Sequence, residues 1–275
     1  MHMNSICRCK PFLGTYVEIS ISAEESTDTL IDITSAAFSE IEKIENLMSF
    51  HNPESELSYL NKHAHKENCS ISKDTETVLK SSVELSEKTS GLFDISVAPY
   101  LIQQGLLPDI YFEADKEANW QDIKLSDGHV SFEKAMLLDL GGIAKGYAVD
   151  KAISIFDKHI NATVNAGGDI RMTHWQEQTI NIRHPMEDTL IETEMRAPAI
   201  ATSANYYLDG KNAIISQKLK SAIKDKRSIS VFTRNCMLAD ALTKVAFLSD
   251  CDPQIMKTFD AEVLILSDTE TNITH

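Results

Sequence analysis

At 275 residues the chain is long enough for one large domain or two small ones, and 43% hydrophobic residues beside 24% charged ones supply a sizeable core. The formal net charge is −15 with no basic cluster, which argues against nucleic acid or an anionic membrane surface as a partner. No run of 18 apolar residues is present, so no helical membrane span is expected.

The stretch Met1 to Lys10 has no apolar core segment and no signal-peptide character, and Met1-His2-Met3 reads as a cloning remnant if a leader was removed. The five cysteines (Cys7, Cys9, Cys69, Cys236, Cys251) are odd in number and scattered, which speaks against a disulfide framework. Both observations favour the cytoplasm, with a periplasmic mature form as the alternative. Cys7-x-Cys9 is too close for an ordinary zinc pair.

In chain order, Gly14 to Ser22 alternates polar and apolar residues and predicts a strand. Leu30, Ile33, Ala37, Ile41, Ile44 and Met48 predict a long amphipathic helix over 27–48. A polar turn follows, with Ser55 as cap of a short helix. A further helix over 75–89 should stop at Ser90-Gly91. His63-Ala64-His65 is read as a solvated loop rather than a metal pair, because no third ligand is near. Residues 92–137 are mixed, with a strand at Val130–Phe132.

Leu138 to Asp150 reads as strand, glycine turn (Gly141-Gly142) and helix, with Lys145 in the first turn. Such a turn lets backbone approach a ligand, and a helix start offers N–H groups to an anion. A packing turn is an equal alternative. Thr163 to Arg171 reads as strand, Gly167-Gly168 turn and strand. Strands at Thr179–Arg183, Ala199–Thr202, Ser228–Thr233 and Glu262–Leu266, and a helix over 238–248, complete a mostly antiparallel pattern. Asp250 to Pro253 reads as a turn.

Several of these segments, in this order, resemble the ApbE-type FAD:protein FMN transferases. Pro11 to Ile19 is similar to that family's opening strand. Leu47-Met48-Ser49-Phe50, Pro53 to Leu57 and Leu60-Asn61 match a second element, and Ser90 to Pro99 a third. Asp139–Gly146, Asn165–Asp169, Ala201-Thr202-Ser203 and Ala239 to Leu242 follow. The resemblance implies an α+β (mixed α/β), two-lobed ApbE/T-fold-like architecture. Residues 1–275 would form one domain, with FAD in a cleft between the lobes. It implies cleavage of the FAD pyrophosphate, transfer of FMN by phosphoester to a threonine of an acceptor flavoprotein, and release of AMP. Met48, Asp94, Ala144, Lys145, Gly167, Gly168, Asp169, Thr202 and Ser203 would hold the flavin nucleotide. Asp240, Thr243 and Lys145 would serve catalysis, and Ala144, Asp240 and Thr243 would hold Mg²⁺.

Three stretches depart from the family pattern, one of them by Ala204 alone, where the family's T-S-G has glycine after Thr202-Ser203. Where the family carries H-x-I-D-P-x-T-G, residues 213–220 read Ala-Ile-Ile-Ser-Gln-Lys-Leu-Lys. In the last helix the family's Asp and Thr stand four residues apart, on one face. Here Asp240 is followed at i+4 by Lys244, with Thr243 at i+3. An ammonium has no lone pair for a metal. Either Lys244 pairs with Asp240 in the cation's place, or it points outward and Thr243 serves as ligand. The alternatives to transfer are an FAD-binding carrier or sensor, and an FAD pyrophosphatase.

Overall fold

The computed structural model describes residues 3–110, 112–204, 214–217, 220–223, 226–267 and 271–274, so Ala213, Lys218 and Leu219 of the divergent stretch lie outside the described residues. In chain order the strands and helices are β1 (Asn4–Phe12), β2 (Thr15–Ala23), α1 (Thr27–Met48), α2 (Glu56–His63), β3 (Cys69–Ser70), α3 (Lys73–Lys88), α4 (Ala98–Gln103), β4 (Ile123–Ser126) and β5 (His129–Phe132). Then come α5 (Ala144–Ile153), β6 (Asn161–Ala166), β7 (Asp169–Met172), β8 (Thr179–Arg183), β9 (Leu190–Glu194), β10 (Ala199–Ala204), β11 (Ile215–Ser216), β12 (Ser221–Ala222), β13 (Ser228–Thr233), α6 (Cys236–Leu248), α7 (Pro253–Thr258), β14 (Glu262–Leu266) and β15 (Thr271–Thr274).

The fold is mixed α/β. Its main sheet has eight strands in the order β1-β2-β6-β7-β10-β13-β14-β15, every pairing antiparallel. In β2 the alternation turns Val17, Ile19 and Ile21 into the core. Helices α1, α5 and α6 pack with these strands, and one cluster of buried side chains runs from Val17 to Val263. A second, smaller cluster contains Phe232, Ile200 and Leu264 with Ile180 and Ile182 of the β8–β9 hairpin. All six residues of β13 are buried as a result. A small sheet, β3-β5-β4, stands apart in pairing.

The helices begin where capping chemistry places them. Ser26, Ser55 and Ser72 accept the N–H of Thr29, Ser58 and Thr75 at the starts of α1, α2 and α3. Helix α3 ends as expected: Ser90 and Gly91 adopt φ +52° and +77°, and the Gly91 N–H returns to Ser86 O at 2.8 Å.

Three local expectations need correction. Pro11–Ile19 is two strands, because Leu13 and Gly14 turn the chain with φ +56° and +69° and pair Phe12 with Thr15. The apolar run before Gly141 belongs to no sheet. Its main chain is satisfied by a side chain instead: the Asn61 amide donates to Leu138 O at 2.9 Å and accepts from Leu138 N–H at 2.8 Å. His63 closes α2 rather than lying in a loop, and half-buried His65 packs edge-on against Phe112.

Candidate functional site

The two glycine turns differ in use. Gly167-Gly168 closes the β6–β7 hairpin with φ +61° and +101°, the positive pair a two-residue turn requires. Gly141-Gly142 leads into α5, and its surroundings are largely self-satisfied. Gly141 N–H donates to Asp139 Oδ2 at 3.1 Å, and Ile143 and Ala144 N–H both donate to Leu140 O. Gly146 N–H, one of the unpaired donors of the first turn of α5, donates to Asp240 Oδ2 at 3.2 Å. The expected anion-binding helix start is therefore filled largely from within the chain. Asp240 reaches it because α5 and α6 cross very closely: a Cβ on Gly146 would lie 2.2 Å from Cys236 O.

A four-membered charge layer surrounds this crossing. Lys145 donates to Asp169 and lies 4.0 Å from Asp240 Oδ2. Lys244 donates to Asp240 Oδ1 and, at 3.1 Å, to Asp240 O. Burial alone would raise the Asp240 carboxyl, but Lys145 and Lys244 outweigh it and pull it below the ordinary range. Burial pushes Asp169 up to about 7, and the repulsion of Asp240 adds to it. Burial would lower the Lys145 ammonium, yet Asp169 and Asp240 hold it well above its usual value.

Beside this layer lies a cavity of about 510 Å³, in the range of small-molecule sites. Its walls are mainly apolar: Met48 at the end of α1, Leu92, Phe93, Leu101 and Leu107. Lys145, Lys244, Asp139 and His51 bring charge and hydrogen-bonding groups to it.

Of the sequence-predicted residues, Met48, Asp94, Ala144 and Lys145 line the cavity. Asp94 is tied down: it accepts from Ser96 N–H and hydroxyl at 2.8 and 2.7 Å and from Trp120 N–H at 3.3 Å. Asp169, Asp240 and Thr243 are buried, and with Gly167, Gly168, Thr202 and Ser203 they do not line the cavity. Thr202 shares a hydrogen bond with Ser230 at 2.8 Å. Thr243 donates to Asp240 O at 2.7 Å, and its hydroxyl meets that of Ser203 at 2.7 Å.

Sequence reasoning did not place Asp139, His51 or Glu45 in the wall, and it set Lys244 only in a cation's place beside Asp240. Asp139 stood beside the glycine pair and was the most readable of these. Burial pushes it up to about 6, against the Gly141 N–H, His51 and Lys244, which lower it. It accepts one main-chain N–H and lines the cavity, and a carboxylate can accept several hydrogen bonds.

The oxygens that Asp240 and Thr243 would offer a divalent cation are engaged. Both carboxylate oxygens and the main-chain oxygen of Asp240 already accept, and the Thr243 hydroxyl is committed to Asp240 and Ser203. Among the described residues no group of three His, Cys, Asp or Glu side chains is arranged to hold a metal. Two unit charges 4 Å apart interact by about 4 kcal/mol at an effective dielectric constant of about 20, so a doubly charged ion that far from an ammonium meets about 8 kcal/mol of repulsion. With two lysines neutralising Asp169 and Asp240, the donor set as it stands does not fit Mg²⁺.

A protein of Vibrio cholerae described as an FAD:protein FMN transferase is 29% identical over 229 residues, 74% of this chain and 69% of that protein. One from Chlamydia pneumoniae with the same description is 27% identical over 235 residues, 76% of this chain and 73% of that protein. The crystal structure of the ApbE protein of Thermotoga maritima superposes with a TM-score of 0.86 at 23% identity, covering 99% of this chain and 97% of that one. The Vibrio cholerae flavin transferase ApbE does so with 0.83 at 24%, covering 99% and 98%. The sequence model of the ApbE family matches residues 13–264, and this chain belongs to that family.

Proposed function

We propose that the chain is an FAD:protein FMN transferase, binding FAD in the cavity bounded by α1, the 92–107 segment and the Gly141-Gly142 turn. One observation carries the reading. An apolar cavity large enough for a ring system has two ammonium groups in its wall, a combination suited to a flavin joined to a pyrophosphate. The curated relatives carry the same activity in their descriptions.

In this reading Met48 packs its thioether on the ring. Lys145 and Lys244 face the pyrophosphate and offset the charge that grows on the leaving AMP phosphate. The acceptor threonine hydroxyl attacks the phosphorus on the riboflavin side, the bond to the bridging oxygen breaks, and AMP leaves. Asp139 takes the threonine proton. It accepts a single N–H, as Glu45 does, but it also feels the charge of Lys244 across the cavity wall, whereas Asp94 is held by three donors.

The test is incubation of the chain with FAD and a flavoprotein carrying the family's target threonine. AMP release together with an acceptor mass increased by one FMN less water supports the reading. AMP release without acceptor labelling means hydrolysis instead. FAD binding with neither product favours the second reading, a flavin-binding protein without transfer, which the filled coordination of Asp240 also favours.

A further inference from the structure

We infer that the Lys244 ammonium is a built-in replacement for a divalent cation, so that this chain binds a dinucleotide pyrophosphate without metal. The inference rests on the FAD reading above and adds to it the identity of the cation.

The placement of Lys244 is specific. From one turn beyond Asp240 on α6, its Nζ bonds both a carboxylate oxygen and the main-chain oxygen of Asp240. Its stem runs over the glycine turn: a Cβ on Gly142 would stand 3.3 Å from Lys244 Cε. Glycine there leaves the lysine its path.

The neighbouring groups leave little freedom. Asp240 Oδ2 is held by the first turn of α5, and the Asp150 carboxylate of α5 accepts from the N–H groups of Cys236 and Met237 at 2.8 and 2.9 Å, which ties the start of α6 to that helix. Thr243, the other candidate ligand, is fully buried and bonded to Ser203 away from the cavity wall. Lys244 nevertheless remains in that wall, with 22% of its side chain exposed. It can therefore hold Asp240 and meet an incoming phosphate together. An ammonium offers charge and three donors, without inner-sphere coordination.

The experiment is calorimetric titration of FAD into the full chain, once in EDTA and once in MgCl₂, with Mn²⁺ retention read by electron paramagnetic resonance. The wild type should bind FAD with the same affinity in both buffers and retain no Mn²⁺. Lys244→Met should weaken binding about tenfold or more in both, the loss of a charge-assisted contact. Lys244→Thr should weaken it in EDTA, regain it with Mg²⁺ and retain one Mn²⁺. Wild-type affinity that rises about tenfold with Mg²⁺, or one Mn²⁺ held by the wild type, overturns the inference and leaves the flavin reading standing. FAD binding in neither buffer defeats the flavin reading and the inference with it. The wild-type arms decide the matter even if a variant fails to fold, which thermal unfolding of each variant reveals.

Discussion

Gly141-Gly142 and Gly167-Gly168 look alike in sequence, each beside an aspartate, yet glycine serves different ends in them. In the β6–β7 hairpin the backbone itself requires it, since both residues have positive φ. At the start of α5 neither glycine is left-handed, and what matters is space: Gly142 lies under the stem of Lys244. Gly146, one turn on, is an extreme of this second kind, where a backbone of another helix fills the place of a side chain. A glycine pair therefore indicates a close approach without saying whether a turn, a side chain or a helix makes it.

Alanine at each position would separate these uses. Gly146→Ala should have the largest effect. Its Cβ meets main-chain atoms at 2.2 Å that cannot rotate away, so urea unfolding should show a loss of about 3 kcal/mol or more, and FAD binding should vanish. A well-folded variant with normal binding would mean that the α5–α6 crossing does not assemble the charge layer. Gly167→Ala should cost about 1–2 kcal/mol, from φ +61° and a Cβ 2.6 Å from Thr15 Oγ1. Gly142→Ala should change stability by no more than about 0.5 kcal/mol, yet weaken FAD binding by displacing Lys244. An equal loss in stability for the last two would erase the contrast between backbone and space.

A pH-dependent effect on folding, and a distinct one on activity, belongs to Asp139. Its carboxyl is pushed up to about 6 in the fold, above an ordinary unfolded value of about 4. The folded state thus holds this proton more tightly, and the stability it contributes at low pH is lost as the pH rises from about 4 through 6. Asp139→Asn should accordingly gain stability relative to wild type at pH 8 compared with pH 4. Transfer by the wild type should rise with pH through about 6 as the carboxylate forms, and the variant should lack that limb. An unchanged pH–rate profile in Asp139→Asn would remove Asp139 from the proton transfer.

What could be read in the sequence follows from where the information is local. Helix α1 matches its expected span of 27–48 because a serine cap and an unbroken helical spacing sit on adjacent residues. β1 was not visible because NSICRCKPF offers no continuous apolar face, and its burial alternates only between exposed and half-buried. Leu138 was misread because an apolar run gives no sign of which partner satisfies its main chain. That partner, Asn61, is 77 residues away. The family motifs indicated Met48, Asp94, Ala144 and Lys145, which the fold brings to one cavity wall. His51 and Glu45 come to the same wall through the turn after α1, a matter of tertiary packing that no spacing encodes. The helical offset of Lys244 from Asp240 was legible, whereas its passage over Gly142 was not.

The bond from Gly146 N–H to Asp240 joins residues 94 positions apart. During synthesis α5 leaves the ribosome long before α6 exists, with the end of its first turn unfinished. The ammonium end of the cavity is assembled only when the C-terminal part docks, at the entropic cost of closing so long a loop. The second ammonium of the cavity wall thus arrives late in the life of the nascent chain. A chain interrupted between the end of α5 and residue 240 would keep α1 and Lys145 and lack Asp240 and Lys244, two of the four members of the charge layer.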